Sequence, residues 1–159
     1  MLGVDPGLVG TGWALLEPGV AALLVIDSGV IETAAVLPLA ARVHAIYDAI
    51  GAVLDKLSPD LMVLEDLYSE YRFPRTALLM AHARGVVCLA ARQRGVEIVT
   101  LAPAEVKRAV AANGAASKEQ IQHCVQRLFR LRELPRPSHV ADALALAFVA
   151  LSRRGAPLP

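Results

Sequence analysis

Four side chains that could bind a metal ion lie at the ends of predicted elements. Asp5 and Glu65 each follow an apolar run that is typical of a buried strand. His139 and Asp142 lie three residues apart at the start of a predicted helix, and therefore on one face of it. A carboxylate at the edge of an apolar strand is costly unless a positive charge compensates it, and a divalent cation can do so. The pattern predicts that these four side chains form one metal site.

Each of these residues also has a structural interpretation. Asp5 precedes Pro6 and Gly7 and could form a turn. Asp142 could be a favourable charge at the start of a helix, and His139 a polar residue of the same first turn. The structural interpretation is weakest for Glu65, because glutamate is a poor strand terminator. The prediction of a metal site therefore depends on the combination of the four residues, not on any one of them.

Hydrophobic periodicity predicts the elements that must position this site. Strands are predicted at residues 1–5, 10–16, 21–31, 61–65 and 96–101. Helices are predicted at residues 39–57, 74–94, 103–112, 118–131 and 137–153. The first three strands are adjacent in sequence, which favours antiparallel pairing, whereas the last two are each reached through a helix and should be parallel. The predicted fold class is α/β, with a five-stranded mixed sheet flanked by helices.

The composition argues against a membrane protein. The 159 residues match one domain without an internal repeat or linker, and residues 154–159 are expected to be a flexible tail. Hydrophobic residues make up 55% of the chain. Its longest uncharged stretches, residues 6–16 and 143–152, are only about half the ~20 residues of a spanning helix. No basic segment precedes an apolar run at the start, so we expect a cytoplasmic protein without a secretory signal.

The net charge of +1 conceals a basic segment. Residues 103–136 contain seven Lys or Arg against three Glu, although the whole chain has 16 basic and 15 acidic side chains. Lys107 and Lys118 lie near the starts of successive predicted helices, where helix N-termini also favour phosphate. A solvated helix face is the alternative interpretation. Three arginines after the fourth strand could follow the same phosphate backbone: Arg72, Arg75 and Arg84.

Motifs along nearly the whole chain resemble those of the RuvC family of bacterial Holliday-junction resolvases. They are LGVDPG at 2–7, GTG at 10–12, EDLY at 65–68, ARG at 83–85, VK at 106–107, SK at 117–118 and ADALA at 141–145. The resemblance implies a ribonuclease H-like fold and a homodimer that nicks two strands of a four-way DNA junction symmetrically. It also implies two Mg²⁺ or Mn²⁺ ions per subunit, cooperation with the RuvA–RuvB branch-migration complex and a place in bacterial recombination and repair. The family's metal-binding positions correspond to Asp5, Glu65, His139 and Asp142.

Two residues depart from the family pattern. His139 stands where many members have aspartate, so the site has three carboxylates and one imidazole. Because a nitrogen ligand is less suited to the hard, octahedral Mg²⁺, we expect Mn²⁺ to support cleavage at least as well as Mg²⁺. Asp66 stands where a glutamine is expected. Strand alternation directs its side chain away from that of Glu65, so it is not expected to bind metal.

Aromatic residues are only 4% of the chain, and three of them follow Glu65 closely. The resemblance implies that Tyr68 stacks on an unpaired base of the junction. Tyr71 and Phe73 lie in a segment one residue longer than the family pattern, so either DNA contact or core packing is open to them. Trp13 is expected in the core. The apolar helix at 74–94 is the candidate dimer face, with a buried core helix as the alternative.

Three other functions fit parts of the pattern. The DPG and GTG motifs also resemble the first phosphate loop of actin-like ATPases, but those proteins need a second lobe for which 159 residues leave no room. The YqgF family comprises small ribonuclease H-like nucleases that act on RNA. A catalytically inactive DNA-binding relative is the third, because His139 replaces an acid.

Overall fold

The chain folds into a five-stranded mixed sheet with helices on both faces. The structure, a computed structural model, describes residues 1–20, 22–67 and 74–155. The strands are β1 (Leu2–Asp5), β2 (Gly10–Pro18), β3 (Leu23–Glu32), β4 (Leu61–Glu65) and β5 (Glu97–Leu101). The helices are α1 (Leu39–Leu57), α2 (Pro74–Gln93), α3 (Pro103–Ala111), α4 (Lys118–Leu128) and α5 (Ser138–Arg153).

The strand order is β3-β2-β1-β4-β5. β1 to β3 pair antiparallel in sequence order, whereas β4 is parallel to both β1 and β5. The predicted fold class and strand directions are confirmed. β1 lies at the centre of the sheet, so the residue that ends it is flanked by strands on both sides.

Element boundaries differ from the predictions where backbone hydrogen bonds outweigh hydrophobic periodicity. α4 ends at Leu128 instead of residue 131, because Arg130 adopts a left-handed conformation with φ of 51°. The Leu131 N–H donates to the Gln126 carbonyl and the Arg130 N–H to the Arg127 carbonyl, which is the pattern of a Schellman motif. The apolar periodicity of the segment continues past this point, so it could not reveal the end of the helix.

Two hydrophobic cores lie on opposite faces of the sheet. One lies under α3, α4 and α5, and the other lies under α1 and α2. In α5 every residue from 143 to 151 is buried, which explains the uncharged stretch in the sequence. Among the residues that the structure describes, no helix combines the length and apolar character needed to cross a membrane.

Two glycines let α5 lie directly against the sheet. A Cβ atom on Gly3 would lie 2.0 Å from the carbonyl oxygen of Ala143, and one on Gly12 would lie 2.1 Å from that of His139. No side chain fits at either position without moving the helix. The close approach places the first turn of α5 beside the carboxyl end of β1, and so beside Asp5.

Candidate active site

The structure brings Asp5, His139 and Asp142 together, although up to 137 residues separate them in sequence. Asp5 ends the central strand and is 7% exposed. The Nδ1 atom of His139 lies 2.6 Å from Oδ2 of Asp5, which is hydrogen-bond distance. Each of the three residues offers one potential ligand atom, and these atoms all lie within 4.8 Å of one another. This is close enough for one ion to contact all three.

Glu65 lines the same cavity as the other three residues. It ends β4, the parallel neighbour of β1, so the two carboxyl groups emerge at the same edge of the sheet. Glu65 lines the cavity without belonging to the group of three ligand atoms within 4.8 Å. The cavity has a volume of about 550 Å³. Its wall also includes the loop at residues 6–10 and the side chains Thr76, Leu79, Met80, Lys107 and Lys118.

Burial and mutual repulsion raise the pKa values of two carboxyl groups of the site. Burial, together with the nearby charges of Asp5 and Asp142, raises the pKa of Glu65 from 4.5 to about 7. Burial and the charge of Asp5 raise the pKa of Asp142 from 3.8 to about 6. The hydrogen bond to Asp5 raises the pKa of His139 despite its partial burial. A divalent cation would relieve this repulsion, and carboxylate and imidazole are suitable ligands, so the residues present fit a metal ion.

Two lysines bring positive charge to the cavity. Lys118 Nζ lies 4.0 Å from Oδ2 of Asp142, and its side chain remains 66% exposed. Lys107 and Lys118 both oppose the rise in the pKa of Glu65. Lys118 is the first residue of α4, whose start is stabilised by reciprocal hydrogen bonds between Ser117 and Gln120. The two lysines therefore border the acidic cluster from α3 and α4.

The structure describes only some of the arginines and aromatic residues that are predicted to contact DNA. Arg84 is half-buried on α2, and its Nη1 donates a hydrogen bond to the backbone carbonyl of Glu65. It therefore stabilises the end of β4. Tyr68 and Arg72 lie outside the described residues, as do Tyr71 and Phe73 and the tail from residue 156. The side chain of Arg75 lies outside the described part as well.

The sequence analysis missed several residues of the cavity wall. Leu79 and Met80 line the cavity, yet their spacing is that of ordinary core residues of a helix. Thr33 and Arg42 are buried, and both contact the loop that follows Asp5. No signal in the sequence separates Arg42 from a solvated charge on an amphipathic helix.

Comparison with solved structures defines the class of protein. The yeast mitochondrial Holliday junction resolvase Ydc2 matches with a TM-score of 0.60 and 9% identity, covering 92% of this chain and 76% of that one. At this identity the likeness concerns the fold alone. The five-stranded mixed sheet with helices on both faces is that of a ribonuclease H-like fold.

More similar proteins narrow the class to one family. The sequence model described as "Crossover junction endodeoxyribonuclease RuvC" matches residues 1–150. A protein of that name from Rhodopirellula baltica is 42% identical over 147 residues, which cover 92% of this chain and 83% of the relative. The structure of Thermus thermophilus RuvC in complex with a Holliday junction substrate matches with a TM-score of 0.84 and 32% identity, covering 99% and 97% of the two chains. The chain belongs to the RuvC family of crossover junction endodeoxyribonucleases.

Family membership settles several expectations. The predicted resemblance, the ribonuclease H-like fold and the assignment as a nuclease are confirmed. The matches favour neither the actin-like ATPase lobe nor the YqgF-like nuclease.

Proposed function

We propose that this nuclease resolves four-way DNA junctions by paired symmetric nicks, with Asp5, Glu65, His139 and Asp142 as its metal-binding catalytic residues. The observation that carries the proposal is the convergence of these side chains on one cavity at the carboxyl ends of β1 and β4. The Thermus thermophilus relative, which binds a Holliday junction substrate, covers nearly the same length of chain. This supports the same substrate here.

Asp5, His139 and Asp142 would help to hold one divalent ion, and Asp5 with Glu65 would help to hold a second. His139 and Asp142 lie with Asp5 in the compact group, and Glu65 lines the same cavity outside that group. Two bound divalent ions would lower the pKa of the attacking water and neutralise the leaving 3′ oxygen. The chain's own residues would bind and orient these ions, and burial of Asp5 would limit its side-chain motion. The imidazole of His139 supports the choice of Mn²⁺ as at least as effective as Mg²⁺.

The basic residues around the cavity would hold the phosphate backbone. Lys107 and Lys118 line the cavity wall and lie within α3 and at the start of α4. Their ammonium groups would bind phosphates next to the scissile bond. We assign the same role to the guanidinium of Arg84, whose Nη1 also donates to the Glu65 carbonyl. Family membership supports two further arginine contacts and one stacking aromatic: Arg72, Arg75 and Tyr68.

We assign the dimer interface to α2. Its inner face packs into the core through Val87 and neighbouring residues, as the core-helix alternative expected. Its outer face exposes Leu78 by 65% and Leu89 by 50%, with Gly85 between them in open space. Residues 78, 82, 85 and 89 share one side of the helix. A two-fold dimer built on this side would present two matching sites to the two strands of a junction.

Two expectations extend from the family to the cell. The bacterial origin of the curated relatives and a DNA substrate support a cytoplasmic location. Family membership supports coupling to the RuvA–RuvB branch-migration complex.

A substrate panel tests the proposed function. The protein is incubated with a labelled four-way junction, a linear duplex of the same sequence, a structured RNA and ATP, each with Mn²⁺ and with EDTA. We expect paired symmetric nicks in the junction with Mn²⁺ and no product with EDTA. Junction binding without cleavage in Mn²⁺ would identify a catalytically inactive relative, and cleavage of the RNA alone would favour the YqgF-like alternative.

A further inference from the structure

Two buried polar side chains hold the loop that follows Asp5. This loop, residues 6–9, joins β1 to β2 and forms part of the cavity wall. The carbonyl of Leu8 accepts one hydrogen bond from the Thr33 hydroxyl and a second from Nη2 of Arg42, at 3.0 Å. Nε of Arg42 donates to the Thr33 hydroxyl oxygen at 2.8 Å, and the Thr33 N–H donates to the carbonyl of Val9 at 3.1 Å. The Leu8 carbonyl, the Thr33 hydroxyl and the Arg42 guanidinium are thus each hydrogen-bonded to the other two.

Arg42 is an unusual residue for the start of an amphipathic helix. It is 8% exposed and Thr33 is 7% exposed. Within the described ranges, no carboxylate lies within ion-pair distance of its guanidinium, whose hydrogen-bond partners are a hydroxyl and a backbone carbonyl. Burial of a charge without a counter-charge is unfavourable, and an apolar side chain could fill the space at lower cost. The guanidinium is directed at the loop rather than at a charge.

The loop is held from its other side as well. The Thr11 hydroxyl donates to the Gly7 carbonyl at 2.8 Å and accepts from the Gly7 N–H at 3.3 Å. Thr11 lies on β2 and is fully buried. The backbone after Asp5 is therefore bound between Thr11 within the hairpin and the pair Thr33 and Arg42 outside it. Since Asp5 is the last residue of β1, the path of this loop constrains the direction of its side chain.

We propose that Thr33 and Arg42 are positioning residues for cleavage, which hold the loop at residues 6–9 so that Asp5 keeps its place in the cavity. They act through the backbone and touch none of the four acidic or imidazole groups. The inference rests on the proposed function of the Asp5 site. Because a displacement of about 1 Å can cost ~10²-fold in rate, loosening the loop should slow cleavage far more than it weakens junction binding.

Matched variants separate positioning from general stability. Thr33→Val keeps the shape and removes the hydroxyl, whereas Thr33→Ser keeps the hydroxyl. Arg42→Met removes the guanidinium. Arg94→Met is the control, because Arg94, directly after α2, pairs with Asp55 of α1 at 2.7 Å and is absent from the cavity lining. For each protein we would measure the melting temperature, the single-turnover cleavage rate with Mn²⁺ at saturating junction, and the junction Kd in EDTA. Each cleavage rate would be measured at the same number of degrees below the melting temperature of that protein.

We expect Thr33→Val and Arg42→Met to cleave at least tenfold more slowly, with Kd changed less than about threefold, and Thr33→Ser to cleave within threefold of the wild type. Backbone amides of residues 6–10 should exchange faster in Thr33→Val and not in Arg94→Met. The proposal is overturned if Thr33→Val cleaves like Thr33→Ser, if Arg94→Met is slowed equally, or if Thr33→Val does not fold. A wild-type protein that fails to cleave any junction would instead refute the proposed function.

Discussion

The raised pKa of Glu65 predicts that the metal-free protein loses stability as pH rises from about 4.5 to 7. The folded state binds the Glu65 proton more tightly than the unfolded state, so protonation stabilises the fold at low pH and this contribution is lost as the carboxyl ionises. A pKa shift of one unit corresponds to about 1.4 kcal/mol. The rise in the pKa of Glu65 from 4.5 to about 7 therefore lowers the stability of the folded state by roughly 3 kcal/mol above pH 7. Asp142 contributes in the same direction, because its pKa is raised to about 6.

Glu65→Gln should remove the Glu65 part of this cost, because the amide keeps the shape and carries no charge. Thermal unfolding in EDTA at pH 5 and pH 8 measures the effect. At pH 8 the variant should melt roughly 6 to 12 °C above the wild type, as 1 kcal/mol corresponds to about 2 to 4 °C at this chain length. At pH 5 the difference should fall to roughly 2 to 3 °C, because protonation of the folded state then removes most of the cost.

Glu97→Gln is the matched control, since Glu97 is an exposed glutamate at the start of β5. It should not raise the melting temperature at either pH. Mn²⁺ should stabilise the wild type more than Glu65→Gln at pH 8, because only the wild type offers the carboxylate. Equal pH dependence of stability in wild type and Glu65→Gln would refute the electrostatic account of the site.

Four further predictions address cleavage, metal choice, DNA binding and assembly. Asp5→Asn should abolish cleavage and leave the junction Kd within about threefold, because it removes charge and keeps shape; loss of binding too would make Asp5 a folding residue. Mn²⁺ should support a cleavage rate at least equal to that with Mg²⁺, and a titration with activity in Mg²⁺ but little in Mn²⁺ would contradict the assigned role of the imidazole. Replacing Lys107 or Lys118 with Ala should reduce the slope of log affinity against log salt by about one each, whereas Lys56→Ala, at an exposed pair with Asp27, should leave it unchanged. Leu89→Glu should convert the proposed dimer to a monomer in sedimentation analysis, and a dimer that persists in the variant would contradict the assignment of the interface to α2.

The sequence by itself determined the element order, the strand directions and the positions of the strand-end acids. These features follow from local periodicity and connectivity. β4 and β5 are each reached through a helix, which favours parallel pairing, whereas the first three strands follow one another directly and pair antiparallel. The motif residues then sufficed to indicate the family. The parallel pairing of β1 with β4, which brings Asp5 and Glu65 to one edge of the sheet, was not predicted from the sequence and is seen in the structure.

Only the tertiary structure decided how closely the site is assembled. The 2.6 Å contact between His139 and Asp5 depends on α5 lying against Gly12, which no local pattern encodes. The raised pKa of Glu65 depends on burial and on charges brought from other elements. Arg42 has the sequence signature of a surface residue and is buried against the loop after Asp5. Periodicity specifies which face of an element is apolar, whereas the distances between elements are set by packing across the whole fold.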